Sequence, residues 1–236
     1  MQQRTYTIKL EILGIMNFIS SHPAFNDTID SLRNEFKDDK SNNVIICGAH
    51  DFSKTQSIDL YKKKYGKVIV FNQEPLTATQ RQFMHKGYFA WLKQADEVWD
   101  YDEQNIEVLK LIRPDVKLHI LKPYKDWSVY KPVGKDIDIL FYGSMNEHRA
   151  KILNVLKKKY KVAIIRTWDG RVLASYIMRS KVLLNLHYYY ESSMQEQARM
   201  IRWIGAPCRI VSEKSHKNYL NVEEKSYDEL KSQKIV

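Results

Sequence analysis

A chain of 236 residues that is 44% hydrophobic and 12% aromatic carries enough apolar mass for one large core or two of ordinary size, which excludes a disordered or fibrous chain. Its formal charge of +10 is uneven: residues 1–134 hold 19 basic and 17 acidic side chains (19 − 17 = +2) and residues 135–236 hold 19 and 11 (19 − 11 = +8), so the second half is the anion-seeking half. Cys47 and Cys208 both lie in apolar runs and read as buried free thiols, which excludes a disulfide framework.

Residues 7–14 alternate weakly and predict a first strand, and MNFISSHPAFND (16–27) reads as a polar loop. Asp27 caps a predicted helix over 28–37 with Ile29, Leu32 and Phe36 as its inward stripe. A strand over 43–49 ends in His50-Asp51, a helix over 57–65 follows, and a strand over 67–72 ends in Asn72-Gln73-Glu74-Pro75. A helix over 79–94, a strand over 97–101, a helix over 103–112 and a strand over 117–121 complete the first half. This alternation predicts a parallel sheet covered by helices. Pro123, Pro132 and Gly134, with few aliphatics around them, mark a linker over 123–135.

Beyond the linker the alternation resumes: strand 136–142, helix 146–160, strand 161–166, helix 170–180, strand 181–187, helix 194–204 and strand 208–212. The tail from His216 is polar, with a short helix near 227–231. The expected fold is α/β, with two Rossmann-like, doubly wound parallel-sheet domains over 1–122 and 136–236. No apolar run approaches the roughly 20 residues of a spanning helix, and the amino end lacks a basic-then-apolar leader, so the expected location is the cytoplasm.

The chemistry concentrates between Asp136 and Glu213. DIDILFYGSMNEHR reads as a strand, a small-residue turn at Gly143-Ser144 and a helix start. A helix start offers unpaired N–H groups and partial positive charge, a place for a phosphate, and Arg149 in the first turn can add a charged fork. LLNLHYYYESSMQEQAR repeats the arrangement: a strand ends in His187-Tyr188-Tyr189-Tyr190 and leads to a helix carrying Glu196, Arg199 and Arg202. In an open parallel sheet, ligands bind at the strands' carboxyl ends, where these residues fall.

FYGSMNEHRAKIL, SYIMRSKVLLNLHYYYE and EQARMIRWIGAPCRIVSE resemble the carboxyl-terminal domain of GT-B glycosyltransferases of bacteria and large DNA viruses, and LKQADEVWDYDEQNIEVLK resembles the end of their amino-terminal domain. The resemblance covers residues 95–213 well and the earlier chain poorly. It implies two domains facing across a cleft, the second holding a nucleotide sugar and the first a glycan or glycoconjugate acceptor. It places Gly143-Ser144 by the diphosphate, Glu196 on the ribose hydroxyls, Arg199 at the leaving nucleotide, and the base over Arg166-Thr167-Trp168. The glutamate pair seven residues apart that many retaining members carry is not clean: Glu191 and Glu196 are too close together and Glu213 too far from either, which favours inversion. The long final helix of the family is missing, so the chain reads as a minimal enzyme or as a piece of a larger multidomain one.

Inverting transfer needs a base for the acceptor hydroxyl and positive charge for the departing diphosphate. No tight His/Asp/Glu spacing of the metal-ligand kind is present, so no metal and no cofactor are expected. The base candidates are Glu74, His50 and Asp51, with His22 and Asp27 behind them. Each has an ordinary rival: Asp27 a cap, His50-Asp51 a turn, Glu196 and Arg199 a surface ion pair, Arg149 a helix-surface residue, and Trp168 and Tyr188 core aromatics. The expected activity is transfer from a UDP-linked sugar to a glycan hydroxyl. Two alternatives stand beside it: a nucleotide-sugar epimerase of the same fold, and a non-catalytic basic nucleic-acid-binding protein. The dispersal of the basic residues over helix faces argues against the last, so no nucleic-acid partner is expected.

Overall fold

The computed structural model describes residues 16–76, 85–189, 191, 193–232 and 235. The chain divides into two compact units, and the division falls between Lys122 and Pro123. Each unit is built on a five-stranded, all-parallel sheet.

In the first unit β1 (Asn17–Ser20), β2 (Val44–Cys47), β3 (Val68–Asn72), β4 (Glu97–Asp100) and β5 (Lys117–Leu118) pair in that order. The strands VIIC and VIVFN are buried at every position, as a sheet covered on both faces requires. Val44, Ile46, Val68, Val70 and Val98 form one face, packed on Tyr88, Trp91 and Leu92 of α4 (Lys86–Gln94) and Ile106 and Leu109 of α5 (Glu103–Lys110). On the other face Trp99 meets Phe36 just past α1 (Asn26–Glu35), ring centres 5.8 Å apart. Two short helices, α2 (Ala49–Phe52) and α3 (Asp59–Lys62), follow β2.

The segment expected as a polar loop contains β1 and a 3-10 turn, Pro23–Phe25. β1 is a short, half-buried edge strand whose polar ends, Asn17 and Ser20, hide its pairing with Val44 and Cys47. Asp27 is not the cap of α1: Phe25 holds that position, and Asp27 is a buried residue of the first turn, where a carboxylate suits the helix dipole. His50 and Asp51 lie in α2 rather than in a simple turn. The strand expected over 7–14 and residues 79–84 of the expected helix over 79–94 lie outside the described residues.

In the second unit β6 (Ile137–Tyr142), β7 (Val162–Ile165), β8 (Ser180–Asn185), β9 (Arg209–Glu213) and β10 (Glu223–Lys225) take the order β7-β6-β8-β9-β10. Ile139, Phe141, Val182 and Leu184 pack on α6 (Glu147–Leu156) and α9 (Tyr227–Lys231). Leu140, Tyr142 and Leu183 pack on α7 (Gly170–Met178), α8 (Gln197–Met200) and the 3-10 turn Ile201–Trp203. Helices therefore cover both faces. The first strand, β6, lies inside the sheet with β7 added on one side and β8 on the other. The order reverses between β6 and β8, and the crevice outside their carboxyl ends is where such a sheet takes its ligand.

The helix expected over 194–204 begins only at Gln197 and tightens into a 3-10 turn, and β10 was not expected. The stretch expected as a linker folds onto the second unit: Trp127 joins its core, and its indole N–H donates to the Arg202 carbonyl at 3.0 Å. Among the described residues no helix is long and apolar enough to cross a membrane.

Candidate functional site

The reversal between β6 and β8 gathers Gly143, Ser144, Arg149, His187, Tyr188, Glu196 and Arg199 into one cluster. β6 is followed by Gly143, whose N–H donates to the Ile165 carbonyl at the end of β7, 3.2 Å away. Its φ of +133° is a conformation that L side chains rarely adopt, and a Cβ built there would lie 3.1 Å from Arg199 Nη2. Glycine is needed at this turn to let a guanidinium approach the backbone. Asn146 then caps α6, its Oδ1 accepting from the Arg149 N–H at 2.9 Å while its Nδ2 donates to the Tyr188 carbonyl at 2.8 Å. One side chain starts the helix and ties it to the chain leaving β8.

Glu196 is the hub. Arg149 Nη2 lies 2.9 Å from its Oε1, Arg199 Nη1 lies 2.6 Å from its Oε2, and the Tyr188 N–H donates to Oε1 at 2.7 Å. Burial pushes the carboxyl pKa up, but Arg199 and Arg149 together outweigh burial and hold it below the ordinary value. Arg149 is fully buried and spends its fork inside the protein, with Nε and Nη2 on the Leu186 carbonyl and Nη1 on that of Ser144. Burial drives its pKa down to about 10, with Glu196 pulling the other way, so it stays cationic at neutral pH. Its place is beneath the turn, where it orients Ser144, Leu186 and Glu196. Arg199 keeps 13% of its side chain exposed and also reaches Asn185 Oδ1 at 3.2 Å. Two guanidiniums meet the Glu196 carboxylate, and Arg199 is the one that keeps part of its side chain exposed, where an anion can reach it.

The remaining residues expected at the site fall around this centre. His187 is 3% exposed, its N–H donating to Glu213 Oε2 at 2.9 Å. Tyr188 carries Arg149 5.0 Å above its ring centre. Thr167 and Trp168 sit past β7, the neighbouring strand end, where Thr167 Oγ1 accepts from the Asp169 N–H and Trp168 packs against the core. Arg202 links that loop to the chain after α8 through the Gly170 carbonyl, 3.2 Å from Nη1. Arg202 was named with Glu196 and Arg199 on the helix after β8 but given no role, and Asn185 was not named. Nothing in the sequence marked Asn185.

No protein-family model matches the chain. It is similar to three proteins of Acanthamoeba polyphaga mimivirus. With Uncharacterized protein L140 it shares 28% identity over 217 residues, 84% of this chain and 69% of that protein. With Uncharacterized protein L138 the identity is 26% over 225 residues, 83% of this chain and 25% of that protein. With Uncharacterized protein L137 it is 28% over 197 residues, 77% of this chain and 25% of that protein. The matched region thus spans a quarter of two of these relatives. Their names state no ligand or activity.

In the first unit the base candidates also fall at carboxyl ends, of the adjacent strands β2 and β3. His50 is 7% exposed, and burial drives its pKa down to about 4 against the pull of Asp51, 3.5 Å away. It is therefore neutral at physiological pH. Burial raises the Asp51 carboxyl, but its bond to Lys54 at 2.7 Å, with His50 and Ser21, holds it below the ordinary value. Glu74 lies in a loop pinned from beneath, its carbonyl accepting from Asn72 Nδ2 at 2.8 Å and Asn105 Nδ2 at 3.0 Å. Both amides also donate to the buried Asp100 Oδ2, at 2.6 and 2.9 Å. His22 accepts from the Ala24 N–H, which accounts for it as the cap of the turn Pro23–Phe25. Among the described residues no three His, Cys, Asp or Glu side chains are grouped to hold a metal ion.

Proposed function

We propose that the chain transfers a sugar from a UDP-linked donor to a hydroxyl of a glycan acceptor, with inversion at the anomeric carbon. The observation that carries this reading is the approach of the partly exposed Arg199 guanidinium to the turn at Gly143, where the strand order reverses. A diphosphate is the ligand this arrangement suits. Arg199 neutralises the charge that grows on the diphosphate as its bond to the anomeric carbon breaks, and a prepared guanidinium acts where charge develops. Glu196 holds Arg199 in place, and the ribose hydroxyls that the resemblance assigns to it would share oxygens already bonded to Arg149, Arg199 and the Tyr188 N–H.

The acceptor oxygen forms the new bond on the face of the sugar opposite the departing diphosphate, and its proton passes to a base. Glu74 is the preferred base, because two buried amides fix its backbone. His50, with a pKa near 4, is a weak proton acceptor and serves better as a hydrogen-bonding neighbour of Asp51.

A thermal-shift panel of sugar nucleotides tests the class and the donor together. One UDP-sugar is expected to raise the melting temperature and to be consumed when a glycan is supplied. Arg199→Ala should abolish the shift, and Glu74→Ala should cut kcat with little change in the shift. If no sugar nucleotide stabilises the protein, the proposal fails. A product that stays linked to the nucleotide would assign an epimerase instead.

A further inference from the structure

A pocket of about 720 Å³ opens at the carboxyl edge of the second sheet, between the starts of α6 and α9 and the chain leaving β9, and neither Gly143, Glu196 nor Arg199 lines it. Its wall is a built polar surface. His148 Nε2 lies 2.8 and 3.0 Å from the two oxygens of Glu213, and its ring stacks on Tyr227 with centres 5.2 Å apart and planes at 24°. Ser215 is 6% exposed, its N–H donates to Glu224 Oε1 at 3.2 Å, and its buried Oγ has no hydrogen-bond partner among the described residues. A buried hydroxyl left unpaired is costly, so one that lines a pocket points to a ligand that donates to it or accepts from it.

The charge of the lining decides the class of ligand. The second half of the chain carries +8 (19 − 11), yet this pocket sets Lys151 and Lys214 against Glu147 and Glu213 (2 − 2 = 0), with Lys151 bonded to Glu147 at 2.7 Å. A phosphate gains no net field there, and a zwitterion would have to break a pair already formed. We propose that the pocket binds a neutral sugar ring, at a place separate from the proposed nucleotide site. A sugar offers hydroxyls that both donate and accept, for Ser215, and C–H groups that pack against the His148–Tyr227 pair lining the pocket. The pocket does not depend on sugar transfer taking place.

The test is saturation-transfer NMR and calorimetric titration of the full chain with the methyl glycosides of glucose, galactose and mannose and with N-acetylglucosamine. At least one is expected to bind saturably, and Ser215→Ala and Tyr227→Ala are each expected to weaken it by about tenfold, the loss of one hydrogen bond or one packing face. Tyr227→Phe should retain binding, and inorganic phosphate should not displace the sugar. No saturable binding, binding indifferent to both alanine variants when their circular dichroism matches wild type, or displacement by phosphate would each overturn the proposal. UDP is titrated into the same samples to separate the two readings. A UDP shift without sugar binding removes this pocket alone, and sugar binding without a UDP shift removes the proposed transferase alone.

Discussion

Arg149 and Arg199 flank one carboxylate with 1% and 13% of their side chains exposed, and that difference in depth separates a residue that builds the site from one that can touch a ligand. Glu196 is the carboxylate that meets both, so Glu196→Ala leaves a buried guanidinium without its counter-ion, and urea unfolding should show a loss of about 3–5 kcal/mol. The pH dependence follows from the same pair of charges. The folded pKa of Glu196 lies below the ordinary 4.5, so its contribution is present above that value and is lost as pH falls through the folded pKa. The difference in melting temperature between wild type and Glu196→Gln should therefore shrink below about pH 4.5. Gly143→Ala puts a methyl group 3.1 Å from Arg199 Nη2 on a backbone at φ +133°, and is expected to cost about 1–3 kcal/mol and to abolish the thermal shift by UDP. The strand-turn-helix pattern marked Gly143 in the sequence, and the resemblance singled out Glu196 and Arg199 on the helix after β8. The depth of Arg149 stayed hidden, because periodicity finds the apolar stripe of a helix but does not tell which polar residue of its first turn points inward.

At the scale of elements, the unit that makes the site is strand, turn and helix, and Asn146 is its joint. Asn146→Ala removes the cap of α6, worth about 1 kcal/mol, and also the bond to the Tyr188 carbonyl, worth roughly another 1 kcal/mol. Asn146→Asp keeps the acceptor and loses the donor, so denaturant titration should place it between wild type and the alanine variant. Strands with a long apolar run, such as β3 and β6, were legible because burial on two faces leaves little choice of residue, and α6 was legible by the single apolar stripe of Ile152, Leu153 and Leu156. β1 and β10 were not: at four and three residues, with Asn, Ser, Glu and Lys in them, they are defined by the neighbour they pair with rather than by their own pattern. The linker misled for a similar reason, since Pro123, Pro132 and Gly134 mark an irregular backbone, but Trp127 alone decides where that backbone packs.

At the scale of the molecule, each unit owns a separate apolar core, one around Val70, Leu92 and Leu109 and the other around Leu140, Leu183 and Trp203. Two cores on two sheets need not melt together, and a ligand that binds one unit stabilises that unit by an amount set by its occupancy alone. The Arg199 cluster lies wholly in the second unit, as does most of the positive charge: residues 123–236 hold 21 basic and 12 acidic side chains (21 − 12 = +9), against 17 and 16 in residues 1–122 (17 − 16 = +1). Differential scanning calorimetry should therefore resolve two transitions, or one whose van't Hoff enthalpy falls short of the calorimetric value. UDP at 100 times its Kd should add about 2.7 kcal/mol to the second unit's transition, and Arg199→Ala should erase that gain. The first unit's transition should move little with UDP and should respond instead to changes in its own buried network, such as Asp100→Ala, which leaves the amides of Asn72 and Asn105 without their shared acceptor. If UDP raised both transitions equally and Arg199→Ala left that effect intact, the nucleotide would be held elsewhere than at the reversal between β6 and β8.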